Sequence, residues 1–277
     1  MDVIAAGHLR KMQVELQEPV TYALPLDDTL VPLNRYLGGS LELRYGGAIA
    51  CQHCGRATRK SFNQGYCYLC FKRLARCDQC IVSPEKCHFA QGTCREPDWG
   101  TRFCMTDHIV YLANSSGPKV GITRASQVPV RWIDQGAVQA LPLLRVQTRQ
   151  QSGLVEAFLR RFVADRTNWR AMLKGEAGAV DLVSLGRQLL CEAASVIEDL
   201  QQRWGVQAVQ ALAATAVDIR YPVLEYPAKI STHNFDKQPV AGGRLLGIKG
   251  QYLLLDTGVL NIRKFTSYHV ELAAETA

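Results

Sequence analysis

The residues best suited to chemistry are the cysteines. The chain holds ten, and nine of them fall between Cys51 and Cys104. Cys51-x2-Cys54 and Cys67-x2-Cys70 stand twelve residues apart. Each pair can form a tight turn that aims two thiolates at one point, and two such turns supply the tetrahedral S4 shell that Zn2+ accepts. Four thiolates close the shell, so the metal expected here is structural. Cys77-x2-Cys80 follows, then Cys87, His88, Cys94 and Cys104. Cys77 and Cys80 are expected to form a third knuckle, completed by two of Cys87, His88, Cys94 and Cys104. The cysteines are favoured over His88, but spacing does not choose among them. A second Zn2+ is the expected occupant, with an iron–sulfur cluster as the alternative. His53, inside the first knuckle, reads as a surface residue. Cys191 stands apart in a helical pattern and reads as a buried free thiol serving as a small hydrophobe.

The same stretch is basic. Between Gly55 and Arg76 there is no acidic residue, and Arg56, Arg59, Lys60, Lys72, Arg73 and Arg76 interleave with Phe62, Tyr66, Tyr68 and Phe71. Cations neutralise phosphates and aromatic faces stack on unpaired bases, so DNA or RNA is the expected partner. The ordinary role for those aromatics is packing around a small metal core.

A second constellation lies in residues 109–168. Ile109-Val110-Tyr111 opens one strand pattern and Lys119-Val120-Gly121-Ile122-Thr123 closes the next. Arg131 begins a short helix, Glu156 lies on a longer one, and Asn168 follows it. In order and spacing this resembles the GIY-YIG nuclease superfamily. Tyr111 takes the place of the first motif tyrosine, Gly121 that of the second motif's glycine, and Thr123 that of the threonine just beyond it. Gln135 stands where many members carry a histidine. The resemblance implies a catalytic set of Tyr111, Lys119, Arg131, Glu156 and Asn168, with Mg2+ or Mn2+ held by Glu156. In this set Arg131 clamps a nonbridging phosphate oxygen and Tyr111 orients or deprotonates water. Lys119 replaces the second motif tyrosine. It can meet phosphate as a point charge, and needs a depressed pKa to act as a base. As ordinary residues, Glu156 would pair with Arg160 four positions on, Tyr111 would pack on its sheet, and Asn168 would cap the turn before Trp169.

A longer string resembles an uncharacterised bacterial family of unknown function. It runs through Cys87-His88, Gly92-Thr93-Cys94-Arg95-Glu96-Pro97, Val110-Tyr111-Leu112-Ala113, Lys119 to Arg124, Arg131 to Ala137, Gly250-Gln251-Tyr252 and Asp256-Thr257-Gly258. This resemblance implies a cytoplasmic protein and no particular activity.

These residues need elements to hold them. Residues 1–50 read as an N-terminal β segment, with strands over Met12–Leu16, Val20–Leu26 and Leu41–Tyr45. Residues 51–106 form the Cys-rich module, too poor in apolar periodicity to fold without metal. Residues 107–175 read as the GIY-YIG-like α/β domain. It has a hairpin of His108–Ala113 and Pro118–Thr123, a helix over Val130–Gln135, a strand over Ala140–Val146 and a helix capped by Ser152. Residues 176–217 form a helical connection, with one helix over 179–205 ended by Gly205. Residues 218–277 read as a C-terminal barrel-like β segment with strands over Ile219–Tyr226, Gly243–Ile248, Tyr252–Asp256 and Val259–Ile262. The fold class expected is therefore α+β, a zinc module and an α/β domain flanked by small β domains.

Composition agrees with a folded chain. Of 277 residues, 47% are hydrophobic and 21% charged, and 32 Lys+Arg against 25 Asp+Glu leave a net charge of +7. No run of about 18 apolar residues predicts a membrane span, and Met1 to Lys11 shows no signal-peptide pattern. The functional expectation is a zinc-containing nucleic-acid-binding protein with a metal-dependent endonuclease site. Its alternatives are a non-catalytic binder of DNA or RNA on the same fold, and a zinc-module adaptor for another protein.

Overall fold

The computed structural model describes residues 1–277. Its strands are β1 (Val3–His8), β2 (Gln13–Glu15), β3 (Thr21–Leu26), β4 (Thr29–Pro32), β5 (Ser40–Ile49), β6 (His108–Asn114), β7 (Pro118–Arg124), β8 (Gln139–Val146), β9 (Val209–Ala211), β10 (Val217–Asp218), β11 (Val240–Lys249), β12 (Tyr252–Leu255), β13 (Gly258–Asn261) and β14 (Tyr268–Glu275). Its helices are α1 (Tyr68–Arg73), α2 (Pro97–Phe103), α3 (Val130–Asp134), α4 (Arg149–Leu159), α5 (Trp169–Leu173), α6 (Leu182–Glu192) and α7 (Ala194–Trp204). The fold is mixed α and β, with three sheets.

The largest sheet has the order β1-β14-β5-β11-β12-β13 and is antiparallel throughout. Its strands come from both ends of the chain. The terminal β segments, which read as separate along the sequence, therefore make one unit. The cause is alternation: Leu41 and Leu43 of β5 and Val270 and Leu272 of β14 all turn into one 32-residue core. The small sheet β2-β3-β4 packs into the same core through Tyr22, Leu24 and Leu26.

The central sheet runs β10-β8-β6-β7, with β9 paired to β8. The β6–β7 hairpin sets Tyr111 opposite Gly121 and Ala113 opposite Lys119. Strand parity then divides the residues. Val110, Leu112 and Val120 face the helices, in a second core of 15 residues that includes Val155, Leu159, Leu189 and Leu200. Ile109, Tyr111 and Ala113 face the larger core, beside Trp132 and Ile133. The catalytic candidates of the hairpin are thus on the face turned toward the terminal sheet.

Several elements differ from expectation. The helix of 179–205 is two, α6 and α7, meeting at the buried Ala193. The break lets Leu189 and Leu200 reach the same core from two directions. α4 begins at Arg149 rather than at Ser152, because Thr148 and Gln151 form a reciprocal capping box. Ser152 is buried and gives its hydroxyl proton to the Arg149 carbonyl. Ile219–Tyr226 is no strand; Pro222 lacks the N–H a ladder needs, and only a single bridge, Val223 to Gly247, forms there. Cys191 is exposed, not buried.

Candidate functional site

The strand β7 is an edge of the central sheet, and residues 119–124 along it line a cleft of about 710 Å3. Tyr111 from β6, Arg131 and Gln135 from α3 and its end, Arg149 and Glu156 from α4, and Asp165 beyond it share that lining. Lys11 and Arg263 reach in from the terminal unit, and Asn63, Gln64, Ile81, Val82 and Pro84 from the Cys-rich module. Of the five residues in the sequence-derived catalytic set, Tyr111, Lys119, Arg131 and Glu156 meet in this cleft. Asn168 does not line it: it is exposed, and its side chain accepts from the Ala171 N–H at 3.3 Å as the N-cap of α5.

The Tyr111 ring lies across Gly121. A Cβ at that position would come within 2.8 Å of the tyrosine hydroxyl, so the cross-strand partner must be glycine. The Gln135 amide donates to the same hydroxyl. Burial raises the Tyr111 pKa, with Arg131 and Gln135 opposing, so the phenol is neutral at physiological pH.

Lys119 is only 5% exposed. Burial, reinforced by Arg131 and opposed by Glu156 and Asp165, brings its ammonium down to about 8. Glu156 is shifted the other way, raised chiefly by burial against the pull of Arg160 and Arg149, with Asp165 adding to the rise. The helix ion pair from Glu156 to Arg160 does not form. Arg160 turns instead to Asp165, at 3.4 Å. Arg149 is largely buried, donates to the Ile81 carbonyl at 2.5 Å, and keeps its Nε without a partner.

Counted along the lining, Lys11, Lys119, Arg124, Arg131, Arg149 and Arg263 stand against Asp134, Glu156 and Asp165. Asp134 is already held by Lys11 and by Gln251. The field in the cleft favours an anion; with Asp134 held and Asp165 paired to Arg160, Glu156 is the lining carboxylate without an ion-pair partner.

In the Cys-rich module, the thiols of Cys51, Cys54, Cys67 and Cys70 all lie within 4.8 Å of one another. A tetrahedron of bonds about 2.3 Å long has edges of about 3.8 Å, and Cys54 Sγ and Cys67 Sγ are 3.8 Å apart. Burial opposes ionisation of Cys51, but the backbone N–H groups of Cys54, Cys67 and His53 outweigh it and bring that thiol down to about 6. Burial and the three neighbouring thiols push Cys70 up. Four thiols gathered this closely fit a shared metal ion. No disulfide links any of the ten cysteines.

The third knuckle is not built as expected. Cys77 packs with Cys51, Cys67 and Cys70 in a six-residue cluster. Cys80, Cys87, Cys94 and Cys104 instead line a separate cavity, of which Cys77 is not a wall. Between them the Asp78 side chain accepts from the Gln79 N–H at 2.6 Å, at the start of a single 3-10 turn.

The basic residues divide. Arg56 and Arg73 line a hollow over the first thiol cluster, and Lys72 lines a groove that shares Asn63, Ile81 and Val82 with the cleft. Arg59 and Lys60 are exposed on the loop before Phe62. Arg76 is the exception: it packs over the Trp99 ring at 5.8 Å with its Nε buried. Phe62 stacks on Phe71 at 5.8 Å and meets Tyr68 edge-on, so these aromatics pack on each other, though Tyr68 stays 55% exposed.

Residues 38–270 match the family model described as a protein of unknown function, DUF2797. The chain belongs to that family. No curated protein and no solved structure matches it. The match spans the Cys-rich module, the central sheet and, of the terminal unit, β5 and β11 to β13, with β1 to β4 and most of β14 outside it. No helix of this DUF2797 protein is long and apolar enough to cross a membrane.

Sequence reasoning missed Arg149, Asp165, Lys11 and Arg263. Arg149 opens α4 and Asp165 lies beyond its end, neither at a motif spacing, and they carried no local signal. Lys11 and Arg263 enter only because the terminal strands close beside the central sheet.

Proposed function

We propose that this protein binds nucleic acid and hydrolyses a phosphodiester in the cleft along β7, in the manner of the GIY-YIG nucleases. The observation that carries the reading is that four motif residues far apart in sequence, Tyr111, Lys119, Arg131 and Glu156, line one cation-rich cleft. Phosphate would be drawn by Arg131, Arg149 and Arg263. Glu156, with Asp165 beside it, would hold one Mg2+ or Mn2+, which supplies charge for the leaving oxygen. Tyr111, a neutral phenol fixed by Gln135, would orient the attacking water. Lys119 would take the proton that the second motif tyrosine handles elsewhere, because burial leaves part of it as neutral amine near pH 8. Asn168 has no part in this reading. Zn2+ in the Cys51, Cys54, Cys67 and Cys70 shell is structural. Arg56, Arg59, Lys60, Lys72 and Arg73 would extend the phosphate track.

The test is cleavage. Protein carrying its zinc is incubated with single-stranded, duplex and branched DNA and with structured RNA, with Mn2+ or with EDTA after the zinc is bound. Metal-dependent cleavage of one of these is expected. Salt-sensitive binding without cleavage on any of them would leave a non-catalytic binder, the reading that Lys119 in the tyrosine position favours. Absence of binding would remove the nucleic-acid reading and point to a protein partner.

A further inference from the structure

The cavity that Cys80, Cys87, Cys94 and Cys104 line measures about 10 Å3. That is room for one small ion. Its other walls are Ala75, Ile81, Phe89, Trp99 and Gly100, together with the polar Asp78 and His88. Four cysteines border this one ion-sized hollow, their sulfurs less tightly gathered than those of the first shell, and thiolates are the ligands Zn2+ accepts in a closed structural site.

A rival donor set shares the site. Asp78, Cys80 and His88 offer ligand atoms within 4.8 Å of one another. Both polar members are already engaged. Asp78 accepts from the Gln79 N–H at 2.6 Å and from Arg95 Nε at 2.8 Å. His88 meets Thr93 Oγ1 at 2.7 Å through Nδ1 and Asp78 at 3.5 Å through Nε2. Arg95 in turn bonds the Phe71 and Leu74 carbonyls. Asp78, His88 and Arg95 therefore form a brace between the two halves of the module.

The backbone around the four thiols is fastened to α4. Arg149 N donates to the Cys104 carbonyl at 2.8 Å, and the Gln150 amide to the Cys87 carbonyl at 3.1 Å. Arg149 also donates to the Ile81 carbonyl. A Cβ on Gly153 would stand 2.6 Å from the Glu85 backbone nitrogen, so helix and loop touch without a side chain between them.

We infer that Cys80, Cys87, Cys94 and Cys104 bind a second Zn2+, with Cys77 left free, and that this ion fixes the first two turns of α4 against the Cys-rich module. It would be a positioning centre, acting on Glu156 through the helix and touching no substrate. The inference stands apart from the cleavage reading, because its readouts are metal content and helix order.

The experiment uses the full chain purified without added metal. Elemental analysis is expected to give two zinc ions per chain. Cys77→Ser is expected to keep both, while Cys94→Ser is expected to keep one. One zinc in the wild type, or loss of a zinc in Cys77→Ser with none lost in Cys94→Ser, overturns the assignment. Iron with visible absorption also overturns it. Should Cys94→Ser fail to fold, wild type reconstituted with Co2+ decides the matter. Two equivalents with tetrathiolate absorption support the site, and a second equivalent with the weaker charge-transfer band of one sulfur among nitrogen and oxygen ligands overturns it. Hydrogen exchange gives the coupling. Withdrawing the second ion should raise exchange in residues 149–156 well above that in β5 and β14, and equal protection before and after would refute the positioning role.

Discussion

Glu156 is a carboxylate in a place that resists its charge. Burial raises its pKa, and no cation lies close enough to pair with it. Such a group is costly to keep unless it meets a cation that arrives from outside. Glu156→Gln should therefore leave the melting temperature unchanged or slightly higher at neutral pH, keep zinc content, and lower cleavage by orders of magnitude. Cleavage that survives the substitution would take the metal away from Glu156. A second buried charge makes a separate prediction. Lys249 is fully buried, its Nζ has no hydrogen-bond partner, and it stands 5.0 Å from the Tyr226 ring centre and 5.4 Å from that of Tyr221. Burial lowers its pKa from 10.5 to about 8. Between those values the unfolded chain binds the proton and the folded one does not, so stability climbs with pH across that window. The ammonium costs on the order of 3 kcal/mol below it. Lys249→Met should raise stability at pH 7 and flatten the climb, as denaturant melts at several pH values would report. At this scale much was legible in the sequence. Tyr111, Lys119 and Gly121 share one face because strand parity requires it. Lys249 was not, because nothing in a lone lysine between Ile248 and Gly250 tells that its strand is buried on both sides.

The helix α4 carries more of the site than its length suggests. Its capping box starts it three residues before Ser152, and those residues hold Arg149, which sequence reading left out. Gly153 is the contact point with the Pro84–Glu85 backbone. Gly153→Ala places a methyl against main chain that cannot turn aside, so helix and module must separate. The expected cost is about 1–3 kcal/mol, although alanine is the better helix former in isolation. A gain in stability would show that the junction is loose. The hairpin β6–β7 was legible through its Asn114–Gly117 turn and its alternation. The split between α6 and α7 was not, since no glycine or proline marks it and the apolar stripe continues across Ala193. That Cys77 and Cys80 border different cysteine groups was hidden for a like reason, since a CxxC spacing permits a knuckle and does not say which neighbours its thiols meet.

For the molecule as a whole, net charge and cation placement predict a salt response. Arg59 and Lys60 lie exposed on the module, outside every ion pair and with Lys60 over the Phe62 ring at 5.4 Å. Reversing both to Glu should weaken binding of all nucleic-acid sequences alike and reduce the salt slope by about one unit per lost phosphate contact. An unchanged slope in a binding titration would move the contact surface to the cleft alone. That the terminal segments form one sheet was not legible. Pairing between residues more than two hundred positions apart leaves no local pattern, and each segment alone reads as a small β domain.

That shared sheet also has a consequence for synthesis on the ribosome. β14 sits between β1 and β5, and β11 on the far side of β5. Until residues 268–275 have left the exit tunnel, β1 has no neighbour in that sheet and β5 lacks one edge. The Cys-rich module and the central sheet emerge earlier and have their own partners. Nascent chain should therefore bind metal and order its middle first, with β1 and one edge of β5 left open until β14 arrives. Stalled chains ending before β14 should accordingly be protease-resistant in residues 51–211 and cut readily within β1.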